Sequence, residues 1–154
     1  MHNCDQHSDC VEEALRRADN ICAERGLRFT QQRRKVLELV WESHGPVKAY
    51  DILDRLDSRI AAIKPPTVYR ALDFLAENGL VHRLDSLKAF IGCSHPLKHR
   101  ECYFLICTDC GEAKECCNSE LADVINETSH NNGFRAEHTT LEITGECRDC
   151  RDTH

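Results

Sequence analysis

The chain has 154 residues, 30% of them charged, a formal net charge of -6 and a mean hydropathy of -0.51. No apolar run approaches the roughly 18 residues that cross a bilayer, and the N-terminal MHNCDQHSDC has neither the basic region nor the apolar core of a secretory signal. Neither a membrane protein nor a secreted disulfide scaffold is expected; a cytoplasmic location is, with the 11 cysteines read as metal ligands or redox thiols.

Charge and cysteine are unevenly spread. Residues 1–10 carry -2, residues 11–90 carry +2 and residues 91–154 carry -6. Only Cys4, Cys10 and Cys22 precede residue 90; the other eight cysteines follow it. This predicts a tail over 1–10, one domain over 11–92 and a second over 93–154.

In EEALRRADNICAERG, Leu15, Ala18, Ile21 and Cys22 have helical spacing, and Gly26 is a stop. Thr30 is a good N-cap for a second helix that turns Val36, Leu37, Val40 and Trp41 inward and ends at Gly45. KAYDILDRLD gives a short third helix through Ile52, Leu53 and Leu56. In KPPTVYRALDFLAENG, Lys64 must be extended because it precedes proline. Pro66 suits the first helical position, with Thr67 as a nearby cap. Val68, Ala71, Leu72 and Leu75 form the core face, Tyr69, Arg70 and Asp73 point the other way, and Gly79 ends the helix. LVHRLDS and KAFIGC then read as a β-hairpin.

Helices followed by a hairpin are the order of a winged helix-turn-helix, whose last helix enters the DNA major groove. Arg70, near the exposed helix start, is placed to pair with guanine. Arg33, Arg34, Lys35, Lys48 and Lys64 are candidates for phosphate. The plainer alternative is a helical bundle with Arg70 a solvated surface charge.

The second half carries the stronger chemical signal. CTDCG at 107–111 and CRDC at 147–150 each place two thiols a turn apart, and Cys107, Cys110, Cys147 and Cys150 can close a tetrahedron around a structural Zn²⁺. Two redox CxxC pairs are the alternative. Between the knuckles, ECYFLIC reads as a strand, NSELADVINETSHNN as a helix with Leu121, Val124 and Ile125 inward, and FRAEHTTLEITGEC as a strand. A second constellation comprises His82 and Cys93 on the hairpin, His95 and His99 beyond it, Glu115, and His138 further on. One thiolate, two imidazoles and a carboxylate would suit a four-coordinate Zn²⁺.

RFTQQRRKVLELV (28–40), AYDIL (49–53), KPPTVYRALDFLAENGLVHRL (64–84), FLICTDCGEAKE (104–115) and GECRDC (145–150) resemble the ferric uptake regulator family, in its zinc uptake regulator branch. The resemblance runs from about residue 11 to 150. It implies an α+β chain: an N-terminal winged helix followed by a small α/β dimerisation domain with a Cys4 zinc site. It implies a homodimeric zinc-responsive repressor of zinc uptake genes that binds a palindromic double-stranded operator, with no membrane and no small organic substrate.

By position, Cys107, Cys110, Cys147 and Cys150 match the structural zinc site, and His82, Cys93, His99 and Glu115 the regulatory one, giving two Zn²⁺ per subunit. His95 rivals His99. Tyr50 and Arg70 match base-contacting positions, with Thr67, Tyr69, Arg33 and Lys64 beside them as DNA-contact candidates. His138 matches a ligand of a third site, whose His-rich loop is half missing. An iron or peroxide sensor of the same family is the alternative, and a zinc-ribbon redox or holdase protein the alternative from another class. No enzyme is expected: there is no Gly-rich phosphate loop, and a site of four protein ligands leaves no position for water.

Five cysteines depart from the family pattern: Cys4, Cys10, Cys102, Cys116 and Cys117. Cys4 and Cys10 with His2 and His7 are a candidate metal-binding tail; composition favours the alternative, an unstructured tail whose thiols do little. Cys102 reads as a small buried hydrophobe. Cys116 and Cys117 are placed to substitute for Glu115.

Overall fold

The structure, a computed structural model, describes residues 7–57 and 64–153 of the chain. His2 and Cys4 of the suggested tail lie outside them. The chain divides into two compact units, Met1–Ser94 and His95–His154.

The first unit holds helices α1 (His7–Glu24), α2 (Gln31–Glu42), α3 (Ala49–Asp57) and α4 (Pro65–Glu77), then strands β1 (Val81–Leu84) and β2 (Ala89–Gly92). Helix α1 begins inside the segment expected to be a tail. The reason is visible in its apolar spacing: Val11 and Ala14 are buried and carry the stripe of Ala18 and Cys22 back by two turns. The core is formed by Leu37, Leu39 and Val40 of α2, Ile52 and Leu56 of α3, the predicted Val68, Ala71, Leu72 and Leu75 of α4, and Val81 and Phe90 of the hairpin.

The caps differ from expectation in two places. Thr30 does cap α2, accepting from the Arg33 amide at 3.3 Å. That helix stops at Glu42, however, and the left-handed residue after it is His44 (φ 57°), not Gly45. In α4, Lys64 is the N-cap, extended at φ -72°, ψ 145°, and makes no side-chain capping bond. Pro65 and Pro66 fill the first two helical positions, so Thr67 lies inside the first turn and is not the cap. Two prolines suffice there because their fixed φ is already helical and neither has an amide to satisfy.

Strands β1 and β2 pair antiparallel, with His82 opposite Ile91 and Val81 opposite Gly92. Gly92 lies flat against the indole of Trp41: a Cβ there would sit 2.4 Å from Cε2. Gly92→Ala is therefore expected to lower the stability of the first unit by about 1–3 kcal/mol, the usual cost of overpacking. A lower urea midpoint with unchanged slope would report it; an unchanged midpoint would show that the indole gives way freely.

The second unit contains a 3-10 helix (Pro96–Glu101), β3 (Cys102–Cys107), β4 (Ala113–Cys117), α5 (Ser119–Asn131), β5 (Glu142–Gly145) and α6 (Arg148–Asp152). Its sheet has the order β4-β3-β5, with β4 antiparallel and β5 parallel to β3. Strand β4 corrects the strand-helix-strand reading. AKECC has no apolar alternation of its own and is held in place by pairing with β3. The last strand is also shorter than FRAEHTTLEITGEC suggests, covering only Glu142–Gly145. Val124 of α5, expected inward, is 58% exposed. Among the described residues of this unit, the buried apolar side chains are only Phe104, Ile106 and Cys107.

Candidate metal centres and nucleic-acid face

The parallel pairing of β3 with β5 sets Cys107 opposite Gly145, so both CxxC loops leave the same end of the sheet. The first loop turns through Gly111 at φ 73°. It is tied to the second strand by the Thr108 amide, which donates to Gly145 O at 2.8 Å. Cys147 is the N-cap of α6, and its Sγ accepts from the Cys150 amide at 3.5 Å. As a result Cys107, Cys110, Cys147 and Cys150 bring their sulfur atoms within 4.8 Å of one another.

The Sγ atoms of Cys110 and Cys147 are 3.9 Å apart. A tetrahedron with Zn–S bonds near 2.3 Å has edges of about 3.8 Å. The tetrad fits that ion.

The electrostatics favour a cation too. The amides of Cys110 and Cys147 point at Cys107 and hold its thiol down to about 6. The Cys147 thiol, then burial, push Cys150 up. Four thiols this close cannot all ionise without a cation among them.

In the first unit, His82 lies on β1 and Cys93 just beyond β2, where the Cys93 amide donates to Leu80 O at 3.0 Å. His82 and Cys93 are thus diagonal neighbours on one face of the hairpin, not directly opposite each other. Both are buried, at 8% and 2% exposure, and their ligating atoms lie within 4.8 Å of one another. In the second unit, His99 is half-buried on the 3-10 helix, whereas His95 caps its start and is exposed. Glu115 is half-buried on β4. His138 Nε2 is 3.0 Å from Thr140 Oγ1.

Cys102 is not the buried hydrophobe expected: it is half-buried and disulfide-bonded to Cys117. This pair is not legible in the sequence because β4, which carries Cys117, does not read as a strand there.

The nucleic-acid candidates cluster at two helix starts of the first unit. Tyr50 is 70% exposed in the first turn of α3. Tyr69 is 53% exposed on α4, with Arg70 and Lys64 also exposed and Thr67 half-buried. Among the described residues Arg70 makes no hydrogen bond or ion pair within the chain, whereas the basic run of α2 is committed locally. The Arg33 guanidinium stacks over Phe74 at 3.6 Å and donates to Arg28 O. Arg34 pairs with Asp19, and Lys35 with Glu38 at 2.7 Å.

The chain is 40% identical over 143 residues to the zinc uptake regulation protein of Escherichia coli (strain K12), covering 91% of this chain and 82% of that one. It is 31% identical over 141 residues to the peroxide operon regulator of Bacillus subtilis (strain 168), covering 88% and 92%. A solved zinc uptake regulator complexed with zinc and DNA superposes with a TM-score of 0.86 at 38% identity, covering 93% of this chain and 96% of that one. Residues 24–144 match the model of the ferric uptake regulator family. The chain belongs to the ferric uptake regulator family.

Proposed function

We propose that this chain is a zinc-responsive transcriptional repressor that binds palindromic operators of zinc uptake genes as a metal-loaded homodimer in the cytoplasm. The observation that carries the reading is the likeness, over nearly the whole chain, to a zinc uptake regulator complexed with zinc and DNA. Two zinc ions per subunit are proposed. One is structural, on Cys107, Cys110, Cys147 and Cys150. The other is labile, on His82 and Cys93 of the first unit and His99 and Glu115 of the second. His99 is preferred to His95 because a half-buried imidazole loses less on being fixed than an exposed one.

The labile ion, when bound, supplies a link that fixes the two units of each subunit to one another. Metal and DNA that favour the same arrangement tighten each other's binding by equal factors. The thiolate of Cys93 favours Zn²⁺ over iron and weighs against the iron- or peroxide-sensing alternative. Homodimerisation is proposed through the second unit. There β5 is an edge strand, and Ile143, Val124 and the 66%-exposed Phe134 offer apolar surface.

On this reading Tyr50, Thr67, Tyr69 and Arg70 meet the bases, while Lys64 meets phosphate; Arg33 contributes less, because its guanidinium already packs on Phe74. Arg70→Ala is expected to cost about 1–3 kcal/mol per half-site and relax preference at one base position. A uniform loss across operator variants would instead assign Arg70 to phosphate. The reading itself is tested by titrating a palindromic operator with zinc-saturated protein and with protein stripped to its structural zinc. Equal affinities would overturn it.

A further inference from the structure

The register of β3 against β4 pairs Cys102 with Cys117, Tyr103 with Cys116 and Phe104 with Glu115. Side chains alternate between the faces of a sheet, so Cys102, Glu115 and Cys117 share one face and Cys116 lies on the other. On the shared face Cys102 and Cys117 are disulfide-bonded, and Cys117 Sγ is 3.9 Å from Glu115 Oε1. The Cys102 sulfur also lies within 4.8 Å of the Glu115 carboxylate. Both cysteines are half-buried, within reach of small molecules from solvent.

The two redox forms of this pair differ sharply as ligands. Disulfide sulfurs carry no charge and bind metal poorly. Two thiolates beside a carboxylate make a soft donor set suited to a thiophilic divalent cation. We propose that Cys102 and Cys117 form a reversible thiol–disulfide switch on the cation affinity of Glu115. When reduced, a Cys102 or Cys117 thiolate beside Glu115 can replace a weaker oxygen or nitrogen ligand of the four-coordinate ion; when oxidised, both sulfurs are withdrawn.

The oxidant is a low-molecular-weight disulfide. One protein thiolate attacks it, forming a mixed disulfide and releasing the first small thiol. The second protein thiolate attacks the protein sulfur of that mixed disulfide, closing Cys102–Cys117 and releasing the second small thiol. Two electrons pass to the small disulfide, and the two protein protons end on the small thiols. This inference rests on the assignment of Glu115 to the labile zinc.

The test uses the full chain with its four-cysteine site zinc-loaded. One sample is equilibrated with glutathione disulfide and one with a phosphine reductant, each then removed. Alkylation followed by mass measurement should count two more thiols in the reduced sample. Competition with a chromophoric chelator should show the labile zinc held about tenfold or more tightly there, the scale on which a changed ligand environment moves metal affinity. Both differences should vanish in Cys102→Ser and Cys117→Ser and persist in Cys116→Ser, which alters the opposite face. Equal zinc affinity in the two forms, or a difference surviving in Cys102→Ser, would overturn the switch. Operator binding is scored separately. Zinc-independent operator binding with redox-dependent zinc affinity intact sinks the repressor reading alone, and absence of labile zinc from both forms sinks both.

Discussion

Cys147→Ser is expected to unfold the second unit while leaving the first intact. The asymmetry follows from their cores. The first unit buries side chains from all four helices and both strands, whereas the second buries only Phe104, Ile106 and Cys107 among its described apolar residues. A domain this small rarely holds together without a staple. A structural zinc contributes about 10–16 kcal/mol of apparent binding free energy, which is largely folding free energy.

Removing one thiolate weakens the ion but leaves α6 capped, because a serine hydroxyl can replace Cys147 Sγ as the acceptor for the Cys150 amide, so the loss reports the metal. The chain offers a clean way to see this. Its single tryptophan, Trp41, belongs to α2. Trp41 fluorescence should therefore keep its ordinary unfolding transition, while amide exchange across β3–β5 accelerates to near the unfolded rate. Protected amides in a zinc-free variant would show that the second unit stands on packing and its Cys102–Cys117 disulfide without the ion.

The second large effect is expected of Cys93→Ser. The side chain is almost completely buried beside His82, and serine is close to it in size, so the fold should survive. A hydroxyl is a far poorer ligand for zinc than a thiolate. Zinc content should fall from two to one per chain. The gain in operator affinity on adding zinc, about 5- to 150-fold for typical coupling, should disappear. Elemental analysis and an operator titration check the two halves independently. A variant that keeps two zincs and its zinc response removes Cys93 from the proposed site.

Helix α4 was legible because its apolar residues repeat with the helical period and prolines mark its start; all four predicted core residues are buried. The cysteine tetrad was legible for another reason: ligand type and spacing carry the chemistry before any fold is known. Strand β4 was not legible. In AKECC the strand is created by its partner, and a pattern that lies in another segment cannot be read from five residues. The pairing of Cys102 with Cys117 was hidden with it. The stop of α2 was placed at Gly45, three residues beyond Glu42, because glycine is the usual left-handed residue, yet here His44 adopts that conformation. The diagonal placement of His82 and Cys93 needed the hairpin register, which the sequence of the turn alone does not set.

The two prolines that open α4 have a further consequence. A helix start normally offers several unbonded amides to a phosphate. Here the first two helical residues have none, so this terminus is a poor anchor for the DNA backbone. On the proposed reading, ionic attraction to the backbone at α4 is left to Lys64, while Arg70 meets a base. Each phosphate neutralised by such a cation contributes about -0.9 to the slope of log affinity against log salt. With so few cations, α4 adds a shallow slope through counterion release. On the same reading, discrimination there rests on side chains meeting base edges, a kind of recognition that rising ionic strength weakens little.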